Sequence, residues 1–471
     1  MLPLFIVIPL GAAVLANIPF GWPRRGALTL ALLVAVIQLA AVAWWPEALR
    51  ADGGTLERFL MLHLAADGIS RVLLLCIALV AAVVISAAWT IKGDHARLQF
   101  ATLLLVSMVG MNGTVLLTDL FSLYVFIEVT SVTSLVLIAF SRGRDALEGA
   151  FKYLLMSAVA AVLMLGSVAL VLMVAGSTSF GVIHEALNAV NRQPIVPLAI
   201  GLFVCGLFIK GGVVPFHAWV PGAYSAAPAP VSILLAGIAT KASGAYVLIR
   251  LATSVFPPGE ALNSVFLALG MVSIVVGAVA AMNQRHIKNL LAYSSISQVG
   301  YILLGLGCGT TLGIAAAVLH IFNHTIAKSL LFVNAASVEE RTGTTDMDHL
   351  GGLGGQMPAT SATVLVGILS TAGIPPLSGF WSKLFIVIAL WKTQHYTYAS
   401  LAVMMSLVTL AYLLSFERRV FFGKTPPHLA TVKESSVALL LPALVLALAV
   451  IAVGVMFPLL FGTFLFPPVK F

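Results

Sequence analysis

Eight titratable side chains lie inside long apolar stretches of this sequence, where charge is unexpected. They are Glu128, Lys152, Lys210, Lys241, His320, His324, Lys328 and Lys383. A charge at the centre of a bilayer costs about 2.5–3.5 kcal/mol even on a lenient insertion scale, and such residues usually mark an ion or proton pathway. Five of the eight are lysines and none is arginine. A lysine can lose its proton when it is desolvated, whereas arginine holds its proton. The residue types therefore favour proton transfer.

The strongest spacing signal is a stripe of three of these residues. His320, His324 and Lys328 recur at every fourth position, which places them on one face of one helix. A lone buried histidine is usually a hydrogen-bonded core residue, but two histidines and a lysine in line favour a relay. Lys241 lies about thirteen residues into its apolar stretch, too deep for its head group to reach the membrane surface.

The other charged residues have simpler explanations as well. Lys152 follows two arginines closely, so its side chain could reach the membrane surface by snorkelling. Glu128 and Lys210 could form a static ion pair between helices rather than a switch. His217, in VVPFHAWVP, lies near a predicted membrane surface, and we treat it with Lys152 as an accessory candidate.

Two of the stretches that carry lysines are interrupted by glycine and proline. One follows Lys210 and contains Pro215, and the other leads to Lys383 through a run of helix breakers. Those breakers are Pro375, Pro376 and Gly379. A helix cannot continue cleanly through such residues. A pair of broken segments in matching positions is typical of transporters built from two inverted repeats.

The elements that must position these residues are membrane-spanning helices. Of the 471 residues, 60% are hydrophobic and only 9% are charged, and the mean hydropathy is +1.07. A spanning helix needs about 20 mainly apolar residues. The predicted spans are 2–20, 26–46, 67–91, 99–118, 120–140, 150–175, 197–220, 228–252, 261–282, 288–308, 312–337, 357–391, 397–421 and 436–465. The sequence therefore predicts an all-α polytopic membrane protein with about fourteen transmembrane helices.

The order of the spans predicts the internal organisation of a single transmembrane domain over 1–471. Helices 1–3 occupy 1–98, a first five-helix repeat (spans 4–8) occupies 99–253, a second inverted repeat (spans 9–13) occupies 254–421, and the last helix occupies 422–471. Helices 7 and 12 are then the broken ones. Placing the N-terminus outside leaves thirteen lysines and arginines in inside loops and seven outside, so we expect both termini outside.

Composition also narrows the classes of function. The net charge of +8 comes from basic residues in short loops, so membrane topology explains it better than nucleic-acid binding. The three cysteines, Cys76, Cys205 and Cys308, stand alone in apolar runs without metal-ligand spacing. We expect no cofactor, no metal and no catalytic centre within this chain.

Several stretches together resemble one known family, over roughly residues 100–425. They are FSLYVFIEVTSV, ALEGAFKYLLMSA, FIKGGVVPFHAWVPGAYSAAPAPVSILLAGIATKASGAY, RHIKNLLAYSSISQVGYI, LHIFNHTIAKSLLF and GIPPLSGFWSKLF. The chain is similar to the antiporter-like subunits shared by respiratory complex I, Mrp-type sodium/proton antiporters and membrane-bound hydrogenases. The motifs occur in the order typical of that family.

The resemblance implies a role for each in-span charge. Glu128 resembles the glutamate of the family's helix 5, and Lys210 its helix-7 lysine partner. Lys241 is similar to the central lysine of helix 8. The stripe residues resemble the helix-11 relay, and Lys383 resembles the terminal lysine of helix 12. Because one class of complex I subunit has glutamate at that last position, the chain departs from that class.

The resemblance implies a proton-translocating subunit of a redox-driven complex of the complex I or membrane-bound hydrogenase type. A subunit of a multisubunit Na⁺/H⁺ antiporter, or of a CO₂ or bicarbonate uptake complex, remains as an alternative. The expected partners are other membrane subunits, the lipid bilayer, and H⁺ with Na⁺ as a further ion. The expected location is the prokaryotic plasma (inner) membrane. We also predict ion-pair contact between Glu128 and Lys210, and a hydrated row of relay residues that ends at Lys383.

Overall fold

The structure, a computed structural model, describes residues 2–18, 26–44, 62–190, 193–257 and 259–464. Within these ranges the secondary structure is helical, with isolated bridges in place of strands. Twelve helices in the described ranges are long and apolar enough to cross a membrane, which confirms an all-α polytopic membrane protein. The predicted ends of the first, second and last spans, at 19–20, 45–46 and 465, lie outside the described residues, as do both termini.

The chain divides into two compact units, and the described part of the first falls within Met1–Gly212 and Ile238–Gly259. Its helices are α1 (Leu4–Ala16), α2 (Gly26–Ala43), α3 (Gly68–Ala88), α4 (Asp94–Leu116), α5 (Leu120–Ile138), α6 (Arg144–Ala175), α7 (Phe180–Ala189) and α8 (Ile195–Gly211), followed by a π-helical turn (Lys241–Ala245) and the helix Tyr246–Ser254, which is α11 in chain order. The short helix α7 was not predicted, because its ten residues are too few to span a bilayer.

The described part of the second unit falls within Val213–Gly237 and Glu260–Val469. Its helices are α9 (Trp219–Ala226), α10 (Ala229–Leu234), α12 (Glu260–Met282), α13 (Ile287–Gly307), α14 (Thr311–Thr342), α15 (Pro358–Ala372), α16 (Ser378–Lys392), α17 (Tyr396–Phe421) and α18 (Val437–Phe464). Helix α14 is the centre of this unit, because it packs against α10, α13, α15, α16 and α18.

Both predicted helix breaks are present. Helix α8 is followed directly by Gly212, whose φ of +69° is left-handed, and the chain then passes through a 3₁₀ turn before α9 begins. Helix α15 is followed directly by Gly373, with φ +88°, and α16 starts five residues later at Ser378. Glycine suits these two positions because it adopts positive φ without a steric penalty. The breaks place Lys210 in the last turn of α8 and Lys383 in the second turn of α16.

A buried amide network shows how the first unit compensates for a proline inside a helix. Pro9 has no N–H group, so the Phe5 carbonyl of α1 loses its ordinary helical donor. Asn112 of α4 donates to that carbonyl from its Nδ2 at 2.7 Å. Asn112 and Gln38 of α2 also pair through both amide groups, at 2.8 and 2.9 Å. This network joins three helices whose polar atoms would otherwise be unsatisfied in an apolar interior.

Candidate functional site

The prediction that Glu128 and Lys210 lie at ion-pair distance is confirmed. Glu128 lies in the middle of α5 and Lys210 in the last turn of α8, and their Oε1 and Nζ atoms are 2.8 Å apart. The Lys210 side chain is buried, whereas about a quarter of the Glu128 side chain (24%) is exposed. The carboxylate therefore lies at the edge of the first unit and the ammonium lies inside it.

The Lys210 ammonium has an acceptor for each of its three N–H donors. Besides the Glu128 carboxylate, it donates to Ser131 Oγ at 2.7 Å and to Ser157 Oγ at 2.8 Å. A lysine carries three donors and no acceptor, so this set completes its hydrogen bonding. The two hydroxyls belong to α5 and α6, so they solvate the ammonium in addition to the carboxylate.

Lys241 is buried in the same unit, at the start of a π-helical turn. Gly244, three residues later, packs against the end of α8, where an added Cβ would lie 2.6 Å from the Gly211 Cα atom. The absence of a side chain therefore lets the turn that carries Lys241 approach the residue after Lys210. Single π-turns in helices frequently occur at functional sites.

The second unit contains the predicted histidine stripe, buried on α14. The rings of His320 and His324 are stacked, with centroids 6.1 Å apart and an angle of 20° between their planes. Lys328, one turn further, donates to the Leu291 carbonyl at 3.2 Å and to Ser294 Oγ on α13. The stripe thus faces neighbouring helices of its own unit, as the spacing predicted.

Lys383 lies in the second turn of α16, just after the break between α15 and α16. Its Nζ donates to the Ala372 carbonyl at 3.3 Å and lies 4.4 Å from the centroid of the Tyr301 ring. Its stem runs over Gly373, where an added Cβ would be 2.9 Å from Lys383 Cδ. A carbonyl freed by the helix break and an aromatic face therefore solvate this buried amine.

A serine that the sequence analysis missed contacts the stripe one residue before this lysine. Ser382 Oγ lies 2.9 Å from His320 Nδ1, and Ser382 immediately precedes Lys383. A small cavity beside them has a volume of about 10 Å³, which is room for about one water molecule. It is lined by Gln298, His320, Asn323, His324, Ala327, Ser370, Thr371 and Gly379.

The two accessory candidates, Lys152 and His217, are less buried than the other candidate lysines and histidines. Lys152 is exposed on α6 and pairs with Glu148 at 2.6 Å, one turn earlier on the same helix. His217 is half-buried in the 3₁₀ turn Phe216–Ala218. In the described residues, no group of three histidine, cysteine or acidic side chains converges as a metal site would require.

These features define a class of protein: a helical membrane protein with titratable side chains buried at helix breaks in each of two units. The family described as NADH:quinone oxidoreductase/Mrp antiporter, transmembrane, matches residues 118–409. NADH-quinone oxidoreductase subunit N of Desulforudis audaxviator is 31% identical over 96% of this chain and 94% of that protein. One of the Na⁺/H⁺ antiporter subunits of Alkalihalophilus pseudofirmus is 32% identical over 71% of this chain and 68% of that protein.

Structural comparison gives the same assignment. A chain in the structure of the Mrp complex from Dietzia sp. DQ12-45-1b aligns with a TM-score of 0.88 and 26% identity. The alignment covers 98% of this chain and 95% of that one. The protein belongs to the NADH:quinone oxidoreductase/Mrp antiporter family of membrane subunits.

Proposed function

We propose that this chain translocates protons as the antiporter-like subunit of a redox-driven membrane complex. The observation that carries the proposal is the Glu128–Lys210 pair, in which a buried ammonium meets a partly exposed carboxylate at 2.8 Å. A nearby carboxylate favours the protonated amine, and burial without it favours the neutral amine. Opening and closing the pair would therefore change the proton affinity of Lys210, which is the step a pump needs.

The remaining titratable residues supply the route. In the first unit, Lys241 follows Lys210 as the central site. In the second unit, the proton passes along His324 and His320, with Lys328 as a branch on the same stripe, and reaches Lys383 through Ser382. Water in the cavity beside the histidines can carry the proton where side chains do not touch, because water-mediated hydrogen bonds are nearly as favourable as direct ones. Transfer between the two units stays a prediction.

A second candidate function is Na⁺/H⁺ exchange in a multisubunit antiporter. It is supported by the similarity to the antiporter protein of Alkalihalophilus pseudofirmus and to the Dietzia Mrp complex. The same lysines and carboxylate would serve the proton half of that exchange. In both candidate functions this chain would carry the protons, and the two functions would differ in the partner subunits.

The proposed topology has fourteen spans in two inverted five-helix repeats, with both termini outside, in a prokaryotic inner membrane. Support comes from the twelve long apolar helices together with α1 and with α15 and α16, which meet at the second break. The domain limits stay those of the sequence prediction, with repeats over 99–253 and 254–421. Cysteine labelling of the loop residues from each side of a sealed vesicle tests the orientation.

Purification of the native complex followed by reconstitution into liposomes tests the function. The redox-driven proposal expects acidification or alkalinisation of the lumen when an electron donor is added, without any sodium gradient. The antiporter candidate expects lumen pH to change when a sodium gradient is imposed in the absence of a donor. Proton movement under neither condition would overturn both.

A further inference from the structure

The interface between α14 and α15 is polar at both ends and apolar at one point between them. On α14 it is formed by His324, Ala327, Leu331 and Asn334, which recur at helical spacing on one face. At one end, His324 and Ala327 line the water-sized cavity beside His320, here called the histidine cavity. Ser370 and Thr371 of α15 line it from the other helix. The opposite end lies on the side of the last turn of α14, which carries Arg341, and of the loop that carries Lys424.

At that opposite end, a carboxylate meets the first turn of α15. Glu434 accepts hydrogen bonds from the Ala359 and Thr360 N–H groups, at 2.9 and 3.3 Å, and from Thr360 Oγ1 at 2.5 Å. No ion pair to Glu434 occurs within the described part of the chain. Its negative charge is therefore held by helix-terminal donors and a hydroxyl, in a half-buried position close to the loops.

Thr363 lies one turn after Thr360 on α15 and connects this group of polar side chains to α14. Its hydroxyl lies 2.9 Å from the Thr360 carbonyl and 3.0 Å from Asn334 Oδ1. Asn334 is 1% exposed, and its Nδ2 has no hydrogen-bond partner among the residues that the structure describes. A buried donor without a hydrogen-bond partner costs about 1–3 kcal/mol. The Asn334 Nδ2 group therefore indicates that an acceptor such as a water molecule lies beside it.

One helical turn beyond Thr363, the row of polar side chains is interrupted by an apolar contact. Gly367 of α15 has no side chain, and Leu331 of α14 fills the space, with its Cδ2 2.8 Å from where a Cβ of residue 367 would be. Beyond Leu331, Ser370 and Thr371 already belong to the cavity that contains His320 and His324. The Leu331 side chain, packed against Gly367, thus separates the Asn334 donor from the histidine cavity.

We propose that this interface is a proton route into the histidine cavity, with Glu434 as its proton acceptor, a water held by Asn334 and Thr363, and Leu331 as its gate. This route rests on the proposed proton translocation. Through it, the second unit would exchange protons with one side of the membrane. The Glu434 carboxylate takes a proton from a hydronium ion, which leaves water and a carboxylic acid. The acid then gives the proton to the next water in line, which becomes hydronium, and the carboxylate is restored. The hydroxyls and the amide orient these waters and keep their own protons.

Two substitutions in the reconstituted complex test the route. Thr363→Val keeps the size of the side chain and removes its hydroxyl, and Asn334→Leu removes the amide. Each is expected to slow proton translocation by about tenfold. This is less than the roughly 10²–10⁴-fold contributed by a positioned acid or base, because these two side chains orient water and do not transfer the proton themselves. Thr409→Val is the matched control, because Thr409 is equally buried and donates to its own helix at Met405.

The outcomes separate this inference from the proposed function. If the unmodified complex moves no protons, the proposed function fails. If it does and both variants match the Thr409→Val control, the route is wrong. Recovery of each variant with its partner subunits shows whether it has folded, and Thr363→Val decides alone should Asn334→Leu fail to assemble.

The gate is tested without any transport assay. In the Ser370→Cys variant, the new thiol lies behind Leu331, and labelling by methanethiosulfonate ethylammonium is followed by mass on the peptide that contains it. Adding Leu331→Ala is expected to raise the labelling rate at least about tenfold when reagent is supplied from the side of Lys424. Equal rates with leucine and alanine at position 331, or faster labelling only from the other side, would overturn the gate.

Discussion

His320 and Ser382 join two helices at the centre of the second unit, with His320 Nδ1 2.9 Å from Ser382 Oγ. Because Ser382 precedes Lys383 on α16, this contact brings the predicted histidine stripe next to the predicted terminal lysine. The Ser382 hydroxyl also lies 3.1 Å from the Gly379 carbonyl, which belongs to the first turn of α16. The helix break and the histidine are therefore linked through one hydroxyl.

Ser382→Ala is expected to reduce proton translocation by about tenfold while leaving assembly intact. The variant removes the side-chain oxygen that contacts His320 beside Lys383, so water would have to bridge a longer gap from the imidazole to the amine. The measurement is the initial rate of lumen pH change in liposomes that contain the complex. Ser337→Ala is the control, since Ser337 is buried on the same helix as His320 and donates to Val333 one turn earlier. Equal rates for both variants would contradict the link.

Substitutions at Lys383 test whether titration of this amine is required. Lys383→Ala is expected to abolish pumping without loss of assembly, because the amine donates to a backbone carbonyl rather than to a carboxylate that would be left unpaired. Lys383→Arg is expected to fail as well, since arginine keeps its proton. Lys152→Ala should be mild, because Lys152 is exposed and pairs with Glu148 on its own helix. Full pumping by Lys383→Arg would remove lysine titration at this position from the mechanism.

The sequence allowed much of this site to be located because charge in an apolar run is rare and costly. Glu128, Lys210 and Lys383 stood out for that reason, and glycine and proline marked the two breaks. Ser382, Thr363 and Asn334 did not stand out, because small polar residues occur throughout membrane helices and cost little there. Their importance depends on partners 29 to 62 residues away in sequence, which periodicity on one helix cannot specify.

The same limit applies to the fold. Hydropathy predicted where helices lie, because the bilayer requires every backbone group to be bonded within a helix. It could not predict that Asn112 would replace the hydrogen bond that Pro9 removes, since that contact spans 107 residues between Asn112 and Phe5. The π-helical turn at Lys241 was also beyond reach, because one extra residue in a turn leaves the local hydropathy unchanged.

The ion pair in the first unit is expected to be required for activity. Glu128→Gln keeps the shape of the side chain and removes its charge, so Lys210 loses the partner that changes its proton affinity. Proton translocation should fall by about 100-fold, as for loss of a positioned acid–base group. Glu148→Gln is the matched control, because it breaks a lysine pair of similar length on an exposed face, where ion pairs contribute little. A Glu128→Gln complex that pumps as fast as the Glu148→Gln complex would exclude the pair from the mechanism.

The pH dependence of stability should reveal a second ion pair, outside the proposed relay. Asp67 caps the start of α3 from the residue before it, and its carboxylate accepts hydrogen bonds from Arg250 at 2.6 and 3.0 Å. Burial alone would raise the pKa of Asp67, but the hydrogen bonds and charge of Arg250 outweigh it and hold that pKa below its ordinary value of 3.8. A lowered folded-state pKa means that the pair stabilises the protein fully above pH 3.8, and that this contribution disappears as the pH falls through the folded value. Thermal unfolding of the purified protein in detergent should therefore show a wild-type advantage over Asp67→Asn at neutral pH that shrinks below that pH. An advantage that stays constant down to strongly acidic pH would show that the carboxylate charge contributes nothing.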